Sequence, residues 1–509
     1  MSAQTHFERL LTALEPSADW QRTSDLIVWY TRTTLCPHKG RAIYGASAAL
    51  ANTAAHTAFV DSNVGVIIAS LEASGDLDEL DPLKQAFVRR VKLSLESQQR
   101  LPKDFVGQFT EATSAAGDAW ATARQSNDFG PVTTTMENVL GLLRKKAHFL
   151  GGNTGDANSM YTALLGQYEP GFTTERLLSV MGVVTEGLAP LRKRFLPYTS
   201  TWKFPTLSQW QPTHADNDAM CTEIVANLGF DFTRGGMTTA GHPFCTTLSP
   251  DNVAITYRYV GDVPLAGFFG AAHETGHALY EQHVLEFIQR YHPPGYLISL
   301  GVHESQSRLV ENILLRDPKT ARHLYVMLGK NLPAGAELAE FRRYMNRTTE
   351  TPIRVESDEL AYNLHIALRV ELEIAMLSGE LKLEDVPAAF AKRMGELLGI
   401  TPEEPVRTAW QDIHWSSGSF GYFGTYMLGN LAGAQLMNAF SQAEPQWRWA
   451  FVKGDFSLLW AWLYANVWRG GHVSTLDEVL LAATGETLNP QYWLNYIDAK
   501  YTALCTDNQ

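Results

Sequence analysis

The stretch FGAAHETGHALYEQH, residues 269–283, gathers three histidines and two glutamates among small and apolar residues. His273 and His277 are four apart, so on a helix both imidazoles project from one face. Two neutral imidazoles at that spacing hold one zinc ion and leave positions for a water and a third protein ligand. Glu274 stands beside the pair, where a carboxylate can meet that water. The H-E-x-x-H pattern therefore supplies two ligands and a general base for hydrolysis. The alternative is an amphipathic helix whose polar residues are incidental. Ala271, Ala272, Thr275, Gly276 and Ala278 count against it, because their small size implies that something sits close to the helix.

A third ligand could come from His283 or from a residue downstream. His283 falls where an H-E-x-x-H-x-x-G-x-x-H arrangement has its last histidine. In that arrangement a glycine lets the chain leave the helix, but Tyr280 stands there and tolerates a left-handed turn poorly. ALYEQHVLEFIQRY reads as continuing helix, which carries His283 away from the pair. Downstream, GVHESQSRLVENILLR at 301–316 offers Glu304 at the opening of a second helix. A glutamate there completes a site of two histidines and one glutamate, with one place left for water. Glu311 and His303 are rivals on the same segment. Glu281, two turns past His273, is better placed to accept from a ligand imidazole and fix its orientation.

The elements that must position these residues are mostly helical. Apolar residues recur at three- and four-residue spacing over 80–98, 132–150, 175–195, 357–379, 383–398, 424–440 and 476–484. VAITYRYV, 253–260, alternates instead, which marks a strand shortly before the metal-binding stretch. As an edge strand it would bind an extended peptide by pairing with it. Glycine and proline in GDVPLAG mark the loop between strand and helix. No repeat, long Ser/Gly linker or charge block divides the chain, so one domain over 1–509 is expected.

Bulk composition narrows the setting. The 509 residues are 45% hydrophobic and 19% charged, an ordinary globular mixture. The formal charge of −13 disfavours a general nucleic-acid surface. Cys36, Cys221, Cys245 and Cys505 lie far apart and form no C-x-x-C pair, which points to a reducing compartment. The N-terminus carries Glu8 and Arg9 before any apolar run and lacks the order of a secretory signal. No stretch reaches the roughly 18 uninterrupted apolar residues of a membrane helix. A cytoplasmic protein is the expectation.

Five motifs in order then resemble one family, the thermostable (Taq-type) metallocarboxypeptidases. HPF stands at 242–244, HETGH at 273–277, HES at 303–305, IRVESD at 353–358 and QDIHW at 411–415, followed by GSFGYFGTYMLGN. ATARQSNDF and LLGQYEPGFTTERL are similar to the family further upstream, while LIVWYTRTTLCPHKGRA resembles it less well. Ser357 replaces the alanine of the family's I-R-x-x-A-D. A usual D-x-R-x-T is NVAIT here, with Asn252 and Ala254 in place of the acid and the arginine and Arg258 nearby.

The resemblance implies a zinc- or cobalt-dependent carboxypeptidase with one ion per chain. It also implies a mainly α fold with a deep substrate groove, a small β-sheet next to the HETGH helix and an N-terminal helical part lining the groove. Catalytic motifs would span 242–426, and a homodimer is common in the family. Glu304 becomes the third ligand, and Arg354 the guanidinium that grips the substrate's terminal carboxylate through paired hydrogen bonds. Asp358 would anchor a helix turn or orient that arginine. His414, Tyr422 and Tyr426 are candidates for stabilising the charge that develops on the carbonyl oxygen. His242 would line the substrate groove or cap local structure. Two other functions compete: an endo-acting oligopeptidase on the same scaffold, and an inactive metal-binding scaffold. An intact Glu274 speaks against the second.

Overall fold

The computed structural model describes residues 2–261 and 263–506. Helices dominate, and most of the expected spans are realised. Residues 80–98 fold as Pro82–Gln99, 132–150 as Gly130–Phe149, 175–195 as Thr174–Thr199, 424–440 as Phe423–Ala443 and 476–484 as Leu476–Thr484. The span 383–398 opens with the short turn Leu383–Asp385 and continues as Val386–Leu398. The span 357–379 starts late, at Tyr362. Asp358 is the cause: its carboxylate accepts from the N–H groups of Thr349 and Leu360 at 2.7 and 2.8 Å. Its carbonyl takes the N–H of Ala361 and Tyr362. Asp358 therefore anchors the turn that leads into the helix.

The described residues form two compact units, each assembled from three separate stretches. No linker marks them in the sequence, because neither unit is contiguous.

The first unit comprises 1–98, 203–346 and 429–489. It holds a three-stranded sheet of β1 (Gly235–Thr239), β2 (Cys245–Ser249) and β3 (Asn252–Tyr257) in the order β1-β3-β2. β1 is parallel to β3 and β2 is antiparallel to it. The strand expected at 253–260 is thus the central one, ending at Tyr257. Both of its edges are taken, so it offers no edge to a peptide, contrary to the expectation. Val253, Ala254, Ile255, Thr256 and Tyr257 are all buried. Ala254 lies between Gly236 on β1 and Thr246 on β2.

The HETGH helix, Ala266–Glu281, packs on this sheet and against the helix His214–Asn227. Its small residues mark close approaches. A Cβ on Gly267 would meet Asn217 Oδ1 at 2.5 Å, and one on Gly276 would meet Ser307 Cα and the Gln306 carbonyl at 2.6 Å.

The helix stops at Glu281, earlier than the sequence suggested. Side chains take over its last carbonyls: His283 Nδ1 reaches Leu279 O at 2.6 Å, Gln289 Nε2 donates to Glu281 O, and Arg234 Nη1 donates to Gln282 O at 2.7 Å. A separate helix, Glu286–Tyr291, follows. His283 packs against the Trp468 ring at 4.8 Å rather than joining the other histidines.

By length and mean hydropathy the stretch Ile43–Ser74 is apolar enough to cross a membrane. It is broken after Val60 into two helices, Arg41–Val60 and Val64–Ser74, by the polar turn Asp61-Ser62-Asn63.

The second unit comprises 99–202, 347–428 and 490–509. Lys103–Ser126, Gly130–Phe149, Ala157–Leu165, Thr174–Thr199 and Tyr362–Ser378 supply most of its helices. Glu373 sits inside it and gathers three donors: the Tyr161 hydroxyl at 2.8 Å, the Trp415 indole N–H at 3.0 Å and the Gly421 N–H at 3.1 Å. These contacts tie the segment carrying QDIHW and GSFGYFGTY to the core helix Tyr362–Ser378.

Candidate metal centre and catalytic residues

In the first unit His273, His277 and Glu304 converge, one of two groups of metal-capable side chains among the described residues. Glu304 Oε2 lies 3.7 Å from His273 Nε2 and 3.3 Å from His277 Nε2. Glu304 stands on the short helix Leu300–Arg308, whose first turn is capped by Ser299 Oγ accepting from the Val302 N–H at 3.0 Å. The helix then widens into a π-helical segment, Leu309–Leu314, a distortion frequent at functional sites.

The other ring nitrogens face away from the cluster, onto acceptors. His273 Nδ1 lies 3.0 Å from Glu311 Oε2, and His277 Nδ1 lies 3.1 Å from the His303 carbonyl. Protons held at Nδ1 leave both Nε2 lone pairs directed at Glu304, the state that a cation requires. Burial and then the His303 imidazole push His277 down to about 4, which keeps the ring neutral. Burial works against a charge on Glu304, but Arg308 and His273 outweigh it and hold the carboxyl well below the usual range. Arg308 Nε donates to Glu304 Oε1 at 2.7 Å, leaving Oε2 toward the imidazoles. Burial favours a neutral His273 as well, but Glu304 and then Glu311 outweigh it and raise that ring. His273 therefore gives up a proton when the two imidazoles and the carboxylate take a divalent metal, which their disposition fits.

Glu311 and His303, the rivals for third ligand, therefore stand one step behind the ligand atoms. Glu281 is further back than the sequence suggested: Oε1 takes His303 and His472 rather than His273 or His277. Burial alone would raise its carboxyl, but His472 first and then His303 hold it well below the ordinary value. Nothing in the sequence flagged His472, which stands 191 residues from Glu281.

Glu274 is 5% exposed, and among the described residues its carboxyl takes part in no hydrogen bond. Burial pushes its carboxyl up to about 7, with His273 pulling the other way and Glu304 and Glu311 adding to the rise. A carboxyl so poised can take and return a proton near neutral pH.

HPF leads into β2 of the same unit. Thr256 of β3 pins it, with the Phe244 N–H donating to Thr256 Oγ1 at 2.9 Å and the Thr256 N–H donating to Phe244 O at 3.0 Å. His242 is exposed, its Nδ1 2.7 Å from the Pro243 carbonyl. Arg258 lies past the end of β3 and is exposed.

The remaining candidates belong to the second unit. His414 Nε2 lies 3.1 Å from the Tyr426 hydroxyl, and the Tyr422 ring rests against both, with centroids 5.4 and 5.3 Å away. Arg354 is 3% exposed and already engaged. Its Nε and Nη2 donate to Asp412 Oδ1 at 3.1 and 2.8 Å, and its Nη1 donates to the Tyr362 hydroxyl at 2.8 Å. Asp412 Oδ2 takes Arg369 Nε at 2.7 Å. Gln411 joins the same group, accepting the Arg354 N–H at 2.7 Å. Asp412 lies inside the QDIHW motif, yet nothing in the sequence paired it with Arg354. Among the described residues Asp358 is not hydrogen-bonded to Arg354; its carboxylate holds the Thr349 and Leu360 N–H groups.

Comparison with known proteins identifies the family. The family described as carboxypeptidase Taq (M32) metallopeptidase matches residues 9–501. Thermostable carboxypeptidase 1 of Thermus thermophilus is 33% identical, over 99% of this chain and 100% of that protein. Thermostable carboxypeptidase 1 of Pyrococcus furiosus is 32% identical, over 85% and 86%. Among solved structures, Trypanosoma cruzi metallocarboxypeptidase 1 superposes with a TM-score of 0.88 at 30% identity, covering 98% of this chain and 99% of that one. The M32 carboxypeptidase from Deinococcus radiodurans gives 0.89 at 29%, with the same coverage. The chain thus belongs to the carboxypeptidase Taq (M32) metallopeptidase family and is a metal-dependent carboxypeptidase that acts on peptides.

Proposed function

We propose that one zinc or cobalt ion per chain, held by His273, His277 and Glu304, serves the carboxypeptidase reaction, with Glu274 as its proton carrier. One observation carries this reading: two imidazole Nε2 atoms converge on one carboxylate oxygen while both Nδ1 atoms face acceptors. Two imidazoles and a carboxylate suit zinc, and cobalt takes similar donors. The chemistry such an ion supplies when bound is acidification of a water and polarisation of a scissile carbonyl.

Glu274 takes the water's proton and later gives it to the departing amine, acting as base and then as acid. By the family resemblance His414 and Tyr426 are assigned to the oxygen on which negative charge builds, and Tyr422 packs against them. Arg354, Arg369 and Asp412 set two guanidiniums against one carboxylate. The surplus positive charge attracts the substrate's terminal carboxylate, and Arg354 is the residue assigned to it. His242, exposed beside β2, contacts the peptide. The reading extends to a cytoplasmic homodimer. Four free cysteines support the compartment, and the family resemblance supports the dimer.

The test is Glu274→Gln, assayed for metal content and for release of C-terminal residues. Metal content should match the parent while turnover falls by about 10²–10⁴, the usual contribution of a general base. Retained turnover removes Glu274 from the chemistry. A matched peptide with an amidated C-terminus should resist cleavage; equal cleavage of both would reject recognition of the carboxylate. Arg354→Lys should raise KM for the free-carboxylate peptide more than it lowers kcat.

A further inference from the structure

A second group of metal-capable side chains lies in the first unit: Glu281, His303 and His472. Two uses compete for it. The group could hold a cation of its own, or it could serve the candidate ligands beside it. Where the ring protons must sit decides between the two.

Glu281 is surrounded by donors. Its Oε1 lies 2.8 Å from His303 Nε2 and 2.9 Å from His472 Nε2. Its Oε2 accepts from Thr247 Oγ1 at 2.8 Å and from Gln289 Nε2 at 3.1 Å. On the far side of the same ring, His303 Nδ1 lies 2.6 Å from His277 Nδ1. Two ring nitrogens that close share one proton, so one carries N–H and the other a lone pair.

His277 turns Nε2 toward Glu304 and needs its lone pair there to bind a cation, so its own proton sits on Nδ1. His303 Nδ1 must then accept, which puts the His303 proton on Nε2, facing Glu281. This assignment gives the His277 Nδ1–H and the His303 Nε2–H one acceptor each, His303 Nδ1 and Glu281 Oε1. A cation held by Glu281, His303 and His472 would take the lone pair of His303 Nε2 and move that ring's proton to Nδ1. There it would meet the His277 Nδ1–H at 2.6 Å, two donors face to face. Cation binding at the second group is therefore incompatible with His277 as a ligand at the first.

The geometry points to a hydrogen-bonded relay, Glu281 to His303 to His277, that fixes the tautomer and orientation of His277 for metal binding. His303 and Glu281 are positioning residues, and His472 holds Glu281 in place by a second hydrogen bond to Oε1. The His303 carbonyl, 3.1 Å from His277 Nδ1, is a further acceptor for the same proton, so His303 contributes through both ring and backbone. The inference rests on His277 being a metal ligand, as proposed above.

The experiment measures zinc affinity of the full-length protein by competition with a chromophoric chelator, after metal has been stripped. His303→Phe and Glu281→Gln should each weaken zinc binding about 10–100-fold, the usual effect of losing the partner of a ligand histidine. The cobalt-loaded variants should show shifted visible bands. Affinities within twofold of the parent for both variants would overturn the relay. So would two tightly bound zinc ions per chain, with the second lost in His472→Ala. Should a substitution prevent folding, ¹⁵N-histidine NMR of the unsubstituted protein reads the tautomers directly. His303 as the Nε2–H form is expected, and the Nδ1–H form overturns the relay. Failure of the underlying ligand reading looks different: His277→Ala would then bind zinc as the parent does.

Discussion

Gly429 lies so close to Glu304 that a Cβ on it would sit 2.5 Å from Glu304 Cγ and 2.6 Å from its Cβ. The atoms in the way are at the root of the side chain, with the Glu304 carbonyl carbon 3.0 Å off, so rotation of the carboxyl end gives no relief. Ordinarily alanine for glycine inside a helix gains about 0.5–1 kcal/mol. Here the added methyl must displace the third candidate ligand. Gly429→Ala should therefore lose metal affinity by at least about tenfold, read by chelator competition. A variant that keeps the parent's affinity would show that Glu304 tolerates displacement or does not bind the ion.

The other ligand partner is a carboxylate. Glu311 Oε2 faces His273 Nδ1, and the same carboxylate neutralises Arg308 and Arg316 at 3.4 and 3.2 Å. Burial opposes its charge, but His273 and the two arginines hold it well below the ordinary range. Glu311→Gln keeps an oxygen for the imidazole N–H and loses the charge. Metal affinity should fall about 10–100-fold, with a lowered unfolding temperature because two guanidiniums lose their counter-charge. An effect on melting without an effect on affinity would confine Glu311 to ion pairing.

How much of this was legible in the sequence depended on reach. His273, Glu274 and His277 could be read because a helix converts a four-residue spacing into one face. Helix spans were readable for the same reason. Glu304 needs a second helix to be brought alongside, so local spacing left it level with Glu311 and His303 until the motif order of a known family singled it out. The small residues of the HETGH helix imply a close neighbour, and at Gly276 that neighbour is the backbone at Gln306 and Ser307. That helix ends earlier than its periodicity implies: Arg234 reaches it from outside the stretch, and His283 and Gln289 read as ordinary helical residues within it although they take its last carbonyls. Periodicity gave no sign that the strand at 253 onward would be central. A run buried on both edges alternates like an exposed one, and β1 pairs with it from before the HPF motif. Asp412 and His472 act through partners 58 and 191 residues away, beyond any local pattern.

A pH prediction follows from Glu373. Burial pushes its carboxyl up to about 8, while Tyr161, Gly421 and Trp415 pull it down by donating to it. A carboxyl raised above its ordinary 4.5 keeps a proton in the folded chain that the unfolded chain has released. Folding thus takes up a proton in that window, and this contribution to stability is full below the unfolded value and lost as pH rises through the folded one. Denaturant unfolding across that window should show a smaller decline in Glu373→Gln than in the parent. The variant should also be less stable by about 1–3 kcal/mol at low pH, since one of its two acceptor oxygens becomes a donor. Identical pH slopes would contradict the assignment.

Asp412 gives the opposite sign. Burial disfavours its charge, but Arg354, Arg369 and His414 outweigh that and hold the carboxyl far below the usual range. A depressed carboxyl contributes stability that is present above its unfolded value, about 4, and lost as pH falls below it. Asp412→Asn leaves Arg354 and Arg369 as buried guanidiniums without their shared counter-charge, which should cost about 3–5 kcal/mol at neutral pH. The variant should also lose part of the parent's acid sensitivity, because the group that titrates is gone. Urea unfolding at neutral pH and near pH 3 separates the two effects. A variant as stable as the parent at neutral pH would mean that Arg354 and Arg369 find other partners, and that the triad does not hold QDIHW in place.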